Sequence, residues 1–503
     1  MIPIKQEIDE KIISKKSKVF LSHLNKKYHD FSYFLKCMIL RADDWEKISS
    51  MDFFKPAKEL LRKLNNNPYD FSPIIEIIEL INEHKQAQIN SKVKKMYGDV
   101  ITPFSVVNEM LDTLPTYVWG NPYLKWFNPA SGIGTFAIII VQRLMESLKD
   151  YEDDELNLIN DVDRYNHIVQ NMLYMCDNQT SSNCIADQFI PHANIYTKSY
   201  LRNGFDWHME NVWKIKKFDI IVNSPPYNSL CHKFSTKSVS LLKENGLLVQ
   251  VNPATWRKPT SENSQAKEAW NLLTHENRLL YLEIHPLKDG YKNFGEYRRY
   301  DFFCMKKTTE HIETQLVDEK GVRYKTDLSH LQFLPNYNIE NVEKLLSKQY
   351  DDFFEIEENL DNCDRILFSR TAYGQDRPYV SEVKVGRYIY PLVHYIKEDG
   401  VVLMYSAVND RGFFGVPKVI FGEKGLHDVI IDMNGEYGMT SHSFALRVET
   451  YEEALRIKEY LLSDEFKEII ASCSWGSYYI ALSKPPCFID WRMFTYFKDK
   501  FWI

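Results

Sequence analysis

Phe218-Asp219-Ile220-Ile221-Val222-Asn223-Ser224-Pro225-Pro226-Tyr227-Asn228 joins a short apolar run to a stiff polar loop. The run from Phe218 to Val222, with an acidic residue near its start, reads as a buried strand. Each of the two prolines behind it fixes its own φ and biases the preceding residue toward extended geometry. A polar residue, two prolines and an aromatic ring at a strand's carboxyl end form a rigid loop with a stacking face. Such a loop can present carbonyl oxygens to a flat amino-bearing group and lay a ring against it.

Outward from this loop, strand and helix patterns alternate from about 96 to 310. Strands are predicted at Trp126 to Asn128, Met172 to Asp177, Gly246 to Val251, Leu279 to Ile284 and Tyr300 to Met305. Helices are predicted from Thr135 to Leu148 and from Val239 to Lys243. The alternation implies an α/β fold on a parallel sheet. Residues 1–95 read as a helical segment, with a basic stretch from Lys11 to Lys18 and helix-compatible apolar spacing from Pro73 to Ile81. From about 330 the pattern shifts to short aromatic and β-branched runs, such as Tyr388 to Tyr390, Val401 to Tyr405 and Val419 to Phe421. A helix from Tyr451 to Leu462 follows, so this part reads as a separate mixed α+β domain. The expected division is 1–95, 96–325 and 326–503.

A second loop stands upstream. Asn128-Pro129-Ala130-Ser131-Gly132-Ile133-Gly134-Thr135-Phe136 follows a strand and opens a helix, and its two glycines allow close backbone approach to a ligand. Asp177 ends the next strand, where a carboxylate can accept from a ribose diol; the alternative for Asp177 is a helix N-cap before Asn178-Gln179. The stretch from Gly134 to Asp177 is longer than the usual unit and must hold a long helix and an acidic excursion around Asp150 to Asp154. No GxxxxGK[ST] loop is present, which removes support for phosphate-cradling ATPase chemistry.

Bulk properties set outer limits. The chain has 503 residues, net charge −7, 44% hydrophobic and 26% charged residues, which fits a folded protein of two or three domains. Its charge carries no global nucleic-acid signature, so any DNA contact must use local basic surface. Cys37, Cys176, Cys184, Cys231, Cys304, Cys363, Cys473 and Cys487 form no CxxC pair, and neither a zinc site nor a disulfide framework is expected. No signal-peptide core and no membrane-length apolar run is visible, so an intracellular setting is expected: cytoplasmic, nucleoid-associated or in a viral factory.

With these motifs in place, the chain resembles the gamma-class adenine-N6 DNA methyltransferases, which use S-adenosylmethionine. Gly98-Asp99-Val100-Ile101-Thr102-Pro103 is similar to the family's G-x-x-x-T-P element beside the cofactor's methionine end. Asn128 to Phe136 resembles its D-P-A-x-G-x-G-x-F loop, with Asn128 in place of the usual aspartate. Asn171 to Gln179 resembles the ribose-binding strand end, and Ser224-Pro225-Pro226-Tyr227 matches the [DNS]-P-P-[YFW] tetrad. Leu242 to Gly246 and Val251 to Trp256 resemble the elements that follow it.

The resemblance implies a Rossmann-like methyltransferase domain with a target-recognition domain behind it. It implies cofactor contacts at Thr102, Pro103, Asn128, Pro129, Ala130, Gly132, Gly134, Asp177 and Asn223. It implies methyl transfer at Ser224, Pro225, Pro226 and Tyr227 to a flipped-out adenine of double-stranded DNA, without a metal, and a cognate restriction endonuclease as a further partner. Two departures bear on this. Lys198-Ser199-Tyr200-Leu201 stands where the family commonly has an acidic residue, and Ser224 replaces Asp or Asn, a serine being commoner in cytosine-N4 enzymes.

In the C-terminal part, Arg370, Tyr373, Gln375, Arg377, Lys418, Lys424, His442, Trp475 and Tyr478 are candidates for base and phosphate contacts. Four other readings stay open at this level: cytosine-N4 methylation, methylation of protein glutamine or RNA, a fused restriction enzyme, and a DNA-binding relic without catalysis.

Overall fold

The computed structural model describes residues 69, 71–72, 74–76, 78–79, 101–226, 230–258, 264–295, 297–346, 365–368, 373, 379–423 and 425–475. Gly98 to Val100, Tyr227, Arg370, Gln375, Arg377, Lys424, Tyr478 and the Lys11–Lys18 stretch lie outside them.

A nine-stranded sheet carries the first large unit. Its strands are β1 (Trp126–Asn128), β2 (Leu173–Cys176), β3 (Asn194–Tyr196), β4 (Phe218–Asn223), β5 (Leu242–Pro253), β6 (Arg278–His285), β7 (Tyr300–Lys306), β8 (Thr314–Val317) and β9 (Arg323–Thr326), in spatial order 3-2-1-4-5-7-6-8-9. β3, β2, β1, β4 and β5 run parallel, and β7 is inserted antiparallel between β5 and β6. The order 3-2-1-4-5 is that of doubly wound, Rossmann-like sheets. The expected α/β class is therefore what the chain adopts.

Period-two alternation explains why both faces are covered. Trp126, Ile220, Val222, Leu247, Val249 and Val251 point into one core with the helices Phe104–Asp112 and Thr135–Ser147. Phe127, Ile221, Leu248 and Phe303 point into the other, against the helices Phe205–Asn211, Cys231–Leu241 and Gln265–Thr274. Of the expected N-terminal helix, Ser72, Ile74 to Glu76, Ile78 and Glu79 are helical, and Ile74 and Ile78 join the first core. The long stretch before β2 holds the helix Thr135–Ser147, an isolated bridge between Glu152 and Asn157, and a second helix, Asp161–His167.

One expected helix is corrected. The helix ends at Leu241 rather than Lys243, and β5 begins at once. The pairing Phe218↔Leu242 jumps to Ile220↔Leu247, and the extra residues are absorbed by a bulge in which Asn245 takes a left-handed φ of 63°. Lys243 is held there by Asp219 at 2.8 Å, so it serves the strand and not a helix end.

Past β9 the chain builds two four-stranded sheets. One is antiparallel: β10 (Ile366–Leu367), β17 (Ser443–Arg447), β14 (Lys418–Gly422) and β15 (Gly425–Asp432). The other orders β11 (Val380–Ser381), β13 (Gly400–Ser406), β12 (Tyr390–Lys397) and β16 (Gly438–Met439), with β12 and β16 parallel. The helix Tyr451–Leu462 forms at the expected positions, capped by Thr450 through the Glu453 N–H, and packs with Asp464–Ser472 over the first of these sheets. No helix among the described residues is long and apolar enough to cross a membrane.

Three histidines make the fold sensitive to mild acid. Burial lowers His208, His232 and His275 below their ordinary value, and His208 Nε2 and His232 Nδ1 have no hydrogen-bond partner. The unfolded chain therefore binds more protons near pH 6.5 than the folded one. Their contribution is present above that pH and is lost as pH falls through it. Glu109 and Asp187, raised by burial, act in the opposite sense at lower pH. The melting temperature is expected to fall between pH 8 and 6; a flat profile there would contradict the assignment.

Candidate active site

The carboxyl ends of β1, β2, β4 and β5 lie on one edge of the sheet. Between β1 and β4 the strand order reverses direction, and open α/β sheets bind ligands in the crevice at that point. The glycine loop leaves β1 and the Ser224 loop leaves β4, so both flank it.

The glycine loop is closed onto β2. Ser131 donates its backbone N–H to the Cys176 carbonyl at 3.0 Å, and Gly134 donates to Ser131 O at 2.8 Å. Gly132 and Gly134 take left-handed φ values of 53° and 93°. The space where a Cβ of Gly132 would stand is open to 4 Å, so conformation, not crowding, demands glycine there. Asp177 ties the loop from the other side: its Oδ2 accepts the Gly132 N–H at 3.0 Å and its Oδ1 the Gln179 N–H at 2.8 Å. The cap alternative is thereby refined, since Gln179 occupies the cap position of the helix Thr180–Phe189 and Asp177 turns the chain into it. A carboxylate offers about four lone-pair sites. A diol would share Asp177 with the loop amides.

The T-P element meets the catalytic loop directly. Thr102, 3% exposed, donates its hydroxyl to Ser224 Oγ at 2.7 Å across 122 positions of sequence. Pro103 opens the helix Phe104–Asp112 and accepts from the Val107 N–H at 3.0 Å. Pro225 is buried and Pro226 half-buried. Thus Thr102, expected beside a cofactor, is also a partner of the residue expected to act on the substrate.

Beneath the loop lies a polar chain that sequence reading missed. Asn223 Nδ2 donates to Gln250 Oε1 at 3.2 Å, and Gln250 Nε2 donates to Ser235 Oγ at 2.7 Å and Asn252 Oδ1 at 2.8 Å. The available signal was Gln250 and Asn252, two apart in the otherwise apolar stretch Leu247 to Pro253 of β5. Three fully buried side-chain atoms on this edge have no hydrogen-bond partner among the described residues: Asn128 Nδ2, Asn223 Oδ1 and Asn252 Nδ2. Asn128 Oδ1 accepts the Ala130 N–H at 3.4 Å, while Pro129 is buried and Ala130 half-buried. Uncompensated buried amide atoms are costly. Beside an open glycine loop they fit a polar ligand carrying both donors and acceptors.

Tyr200, which departs from the family pattern, is a core residue. Its ring joins Phe127, Phe205 and Phe234, and its hydroxyl donates to Phe234 O at 2.9 Å. Three C-terminal candidates, Lys418, Trp475 and Tyr373, are corrected in the same way. Lys418 is fully buried and paired with Asp432 at 2.8 Å; burial lowers its pKa against the pull of that carboxylate. Trp475 is 3% exposed and donates to Leu334 O at 2.8 Å. Tyr373 is buried and donates to Arg411 O at 3.1 Å, and His442 Nδ1 is bound to Glu423 Oε1 at 2.5 Å. Turn-rich local sequence suggested surface, but long-range packing placed Lys418, Trp475 and Tyr373 inside, whereas His442 is only half-buried and stays a candidate. A groove of about 930 Å³ lined by Ile75, Asn108, Trp119 and Arg143 shares no residue with the Ser224 edge.

The chain matches no protein-family model and no curated protein. Among solved structures it is similar to the modification subunit of a putative type I restriction enzyme from Vibrio vulnificus YJ016, at 12% identity and TM-score 0.34 over 48% of this chain. It spans about half the length of that subunit, 52%. It is similar to the type IIL restriction-modification enzyme MmeI in complex with DNA, at 9% identity and TM-score 0.45 over 80% of this chain and 67% of that one. It is also similar to the ATP-dependent type ISP enzyme LlaBIII bound to DNA, at 11% identity and TM-score 0.44 over 83% and 39%. At these values the functional reading rests on the residues themselves.

Proposed function

We propose that the chain is a site-specific DNA methyltransferase that moves a methyl group from S-adenosylmethionine to N6 of an adenine flipped out of double-stranded DNA. The observation that carries this reading is the Thr102–Ser224 hydrogen bond, which joins the T-P element to the Ser-Pro-Pro-Tyr loop beside the clamped glycine loop. The residues present suit the cofactor. Gly132 leaves room for close approach, Gly134 supplies the left-handed turn against Ala186, Asp177 offers a carboxylate, and Asn128 and Asn223 hold uncompensated amide atoms. Pro103, Pro129 and Ala130 shape the same edge. When bound, the cofactor supplies an electrophilic sulfonium methyl.

Within this reading the chain's own groups prepare the nucleophile. An exocyclic amine is weak because its lone pair is delocalised into the ring. Ser224 Oγ and the Pro225 carbonyl accept from its two hydrogens and free that pair, with Pro226 stiffening the loop. Thr102, by donating to Ser224 Oγ, orients the hydroxyl. Tyr227 stacks on the extruded base, which is unreachable while paired. Catalysis of this kind is positioning, with reacting atoms about 3–3.5 Å apart. Residues 1–95 precede the methyltransferase domain of 96–325, and 326–503 form the second wall that reads DNA; a restriction endonuclease of matching specificity is the anticipated partner.

Tritiated methyl transfer to unmethylated DNA, followed by nucleoside analysis, tests the proposal. N6-methyladenine is expected. N4-methylcytosine, the reading that Ser224 favours by resemblance, would redirect the base assignment, and absence of any methylated DNA would end it. Asp177→Ala provides a second check. It removes an acceptor from two loop amides and from the cofactor, and is expected to weaken S-adenosylmethionine binding about 10- to 100-fold by calorimetry. Unchanged affinity would take Asp177 out of the site.

A further inference from the structure

The segment between β6 and β7 emerges on the same edge as Ser224. β5 runs parallel to β4, Pro253 at its end pairs with Tyr300 at the start of β7, and Tyr300 pairs with His285 at the end of β6. Residues 286–295 and 297–299 therefore stand beside the candidate site. Burial raises the Cys231 thiol, just past the Ser224 loop, and local backbone hydrogen bonds and then the Arg298 guanidinium oppose that rise.

This segment is rigid where it meets the sheet and unusual where it meets solvent. In the helix Leu287–Phe294, Gly290 and Phe294 face inward. Phe294 packs edge-on against Tyr300 at 4.9 Å, and Asn293 donates to the Tyr300 hydroxyl at 2.8 Å. The opposite face carries Lys288, Tyr291 and Lys292, all exposed and spaced to share one side of the helix. Tyr297 comes back over Tyr291. The two rings stack at 4.3 Å and 14°, yet each is 52% exposed. Within 286–299 four cationic side chains face two acidic ones, in a chain whose net charge is −7.

Two preordered rings with outward π-faces, flanked by lysines, have the chemistry that binds unstacked nucleobases and their phosphates. A protein partner would not require the lysines, and a purely ionic contact would not require the rings. Resting on the DNA reading above, we propose that Tyr291 and Tyr297, with Lys288 and Lys292, form a DNA-binding platform that holds nucleotides neighbouring the target base. The ring pair takes an unpaired base, and the two lysines take adjoining phosphates.

Fluorescence anisotropy with a fully paired duplex and a duplex carrying one central mismatch provides the test, with melting temperature as the control for folding. The native chain is expected to prefer the mismatch. Tyr291→Ala with Tyr297→Ala should lose that preference and about tenfold or more in affinity, without changing the melting temperature. Lys288→Ala with Lys292→Ala should keep the preference and flatten the slope of log affinity against log salt by about 2. If the native chain binds and methylates DNA while both double variants bind as it does, this platform is refuted and the methyltransferase reading stands. If the native chain binds neither duplex, both fall. Loss of self-association in the tyrosine variant with unchanged DNA affinity would assign the rings to a second copy of the chain and overturn the proposal.

Discussion

Arg257→Ala is expected to cost about 3–5 kcal/mol and to lower the melting temperature by roughly 10 °C. Arg257 is fully buried and spends all five of its N–H donors. Nε and Nη2 grip Asp301 at 2.6 and 2.9 Å, Nη1 reaches the carbonyls of Leu334 and Pro335 at 2.9 and 3.0 Å, and Nη2 also reaches Asn336 Oδ1 at 3.0 Å. Asn336 in turn donates to Ser474 O at 2.8 Å. One guanidinium thus joins the end of β5, the start of β7, the 334–336 segment and, through Asn336, the residues after the helix Asp464–Ser472.

Removing it leaves a buried carboxylate with the Trp256 indole N–H, at 2.8 Å, as its remaining side-chain donor. Apolar replacement of both partners, Arg257→Met with Asp301→Leu, should recover part of the loss, because the uncompensated charge goes with it. A cost below about 1 kcal/mol for the alanine variant would mean that water or rearrangement replaces the network.

The second large effect concerns chemistry. On the methyltransferase reading proposed above, Ser224→Ala is expected to lower kcat for methyl transfer about 10- to 100-fold, since one of two acceptors on the amine would be lost. A hydroxyl accepts more weakly than a carboxylate, which places the effect at the lower end for such groups. Tyr227→Ala should act mainly on KM for DNA, through the lost stacking face. The double variant is expected to lose at least about 10³-fold in kcat/KM, with S-adenosylmethionine binding retained. Methyl incorporation unchanged by both substitutions would remove the Ser-Pro-Pro-Tyr loop from catalysis.

Much of the methyltransferase-like unit was legible from local patterns. The apolar run Phe218 to Val222, the glycine pair after Asn128 and the proline pair after Ser224 each encode their own geometry: strand burial, left-handed turns and restricted φ are properties of a few adjacent residues. Their spacing was enough to place two loops at strand ends. The end of the helix before β5 was misjudged because Asn245-Gly246 signals a turn while the strand pairing of Leu242 with Phe218 ahead of it depends on β4 and not on neighbouring residues. Three C-terminal candidates, Lys418, Tyr373 and Trp475, failed for a related reason. Lys418 and Trp475 look like surface contacts in sequence, and only a carboxylate 14 positions away and a carbonyl 141 positions away make them core residues.

By itself the sequence determined the α/β class and the placing of the two loops at strand ends, because these depend on residue identity and short spacing. The tertiary structure alone decided which groups meet. It brought Thr102 to Ser224 and Asp177 to Gly132, laid the Asn223–Gln250–Asn252 chain under the loop, and gathered distant segments around Arg257. Hydrogen bonds and buried charges between residues tens to hundreds of positions apart depend on strand order and register, and those are settled only when the whole sheet closes over its core.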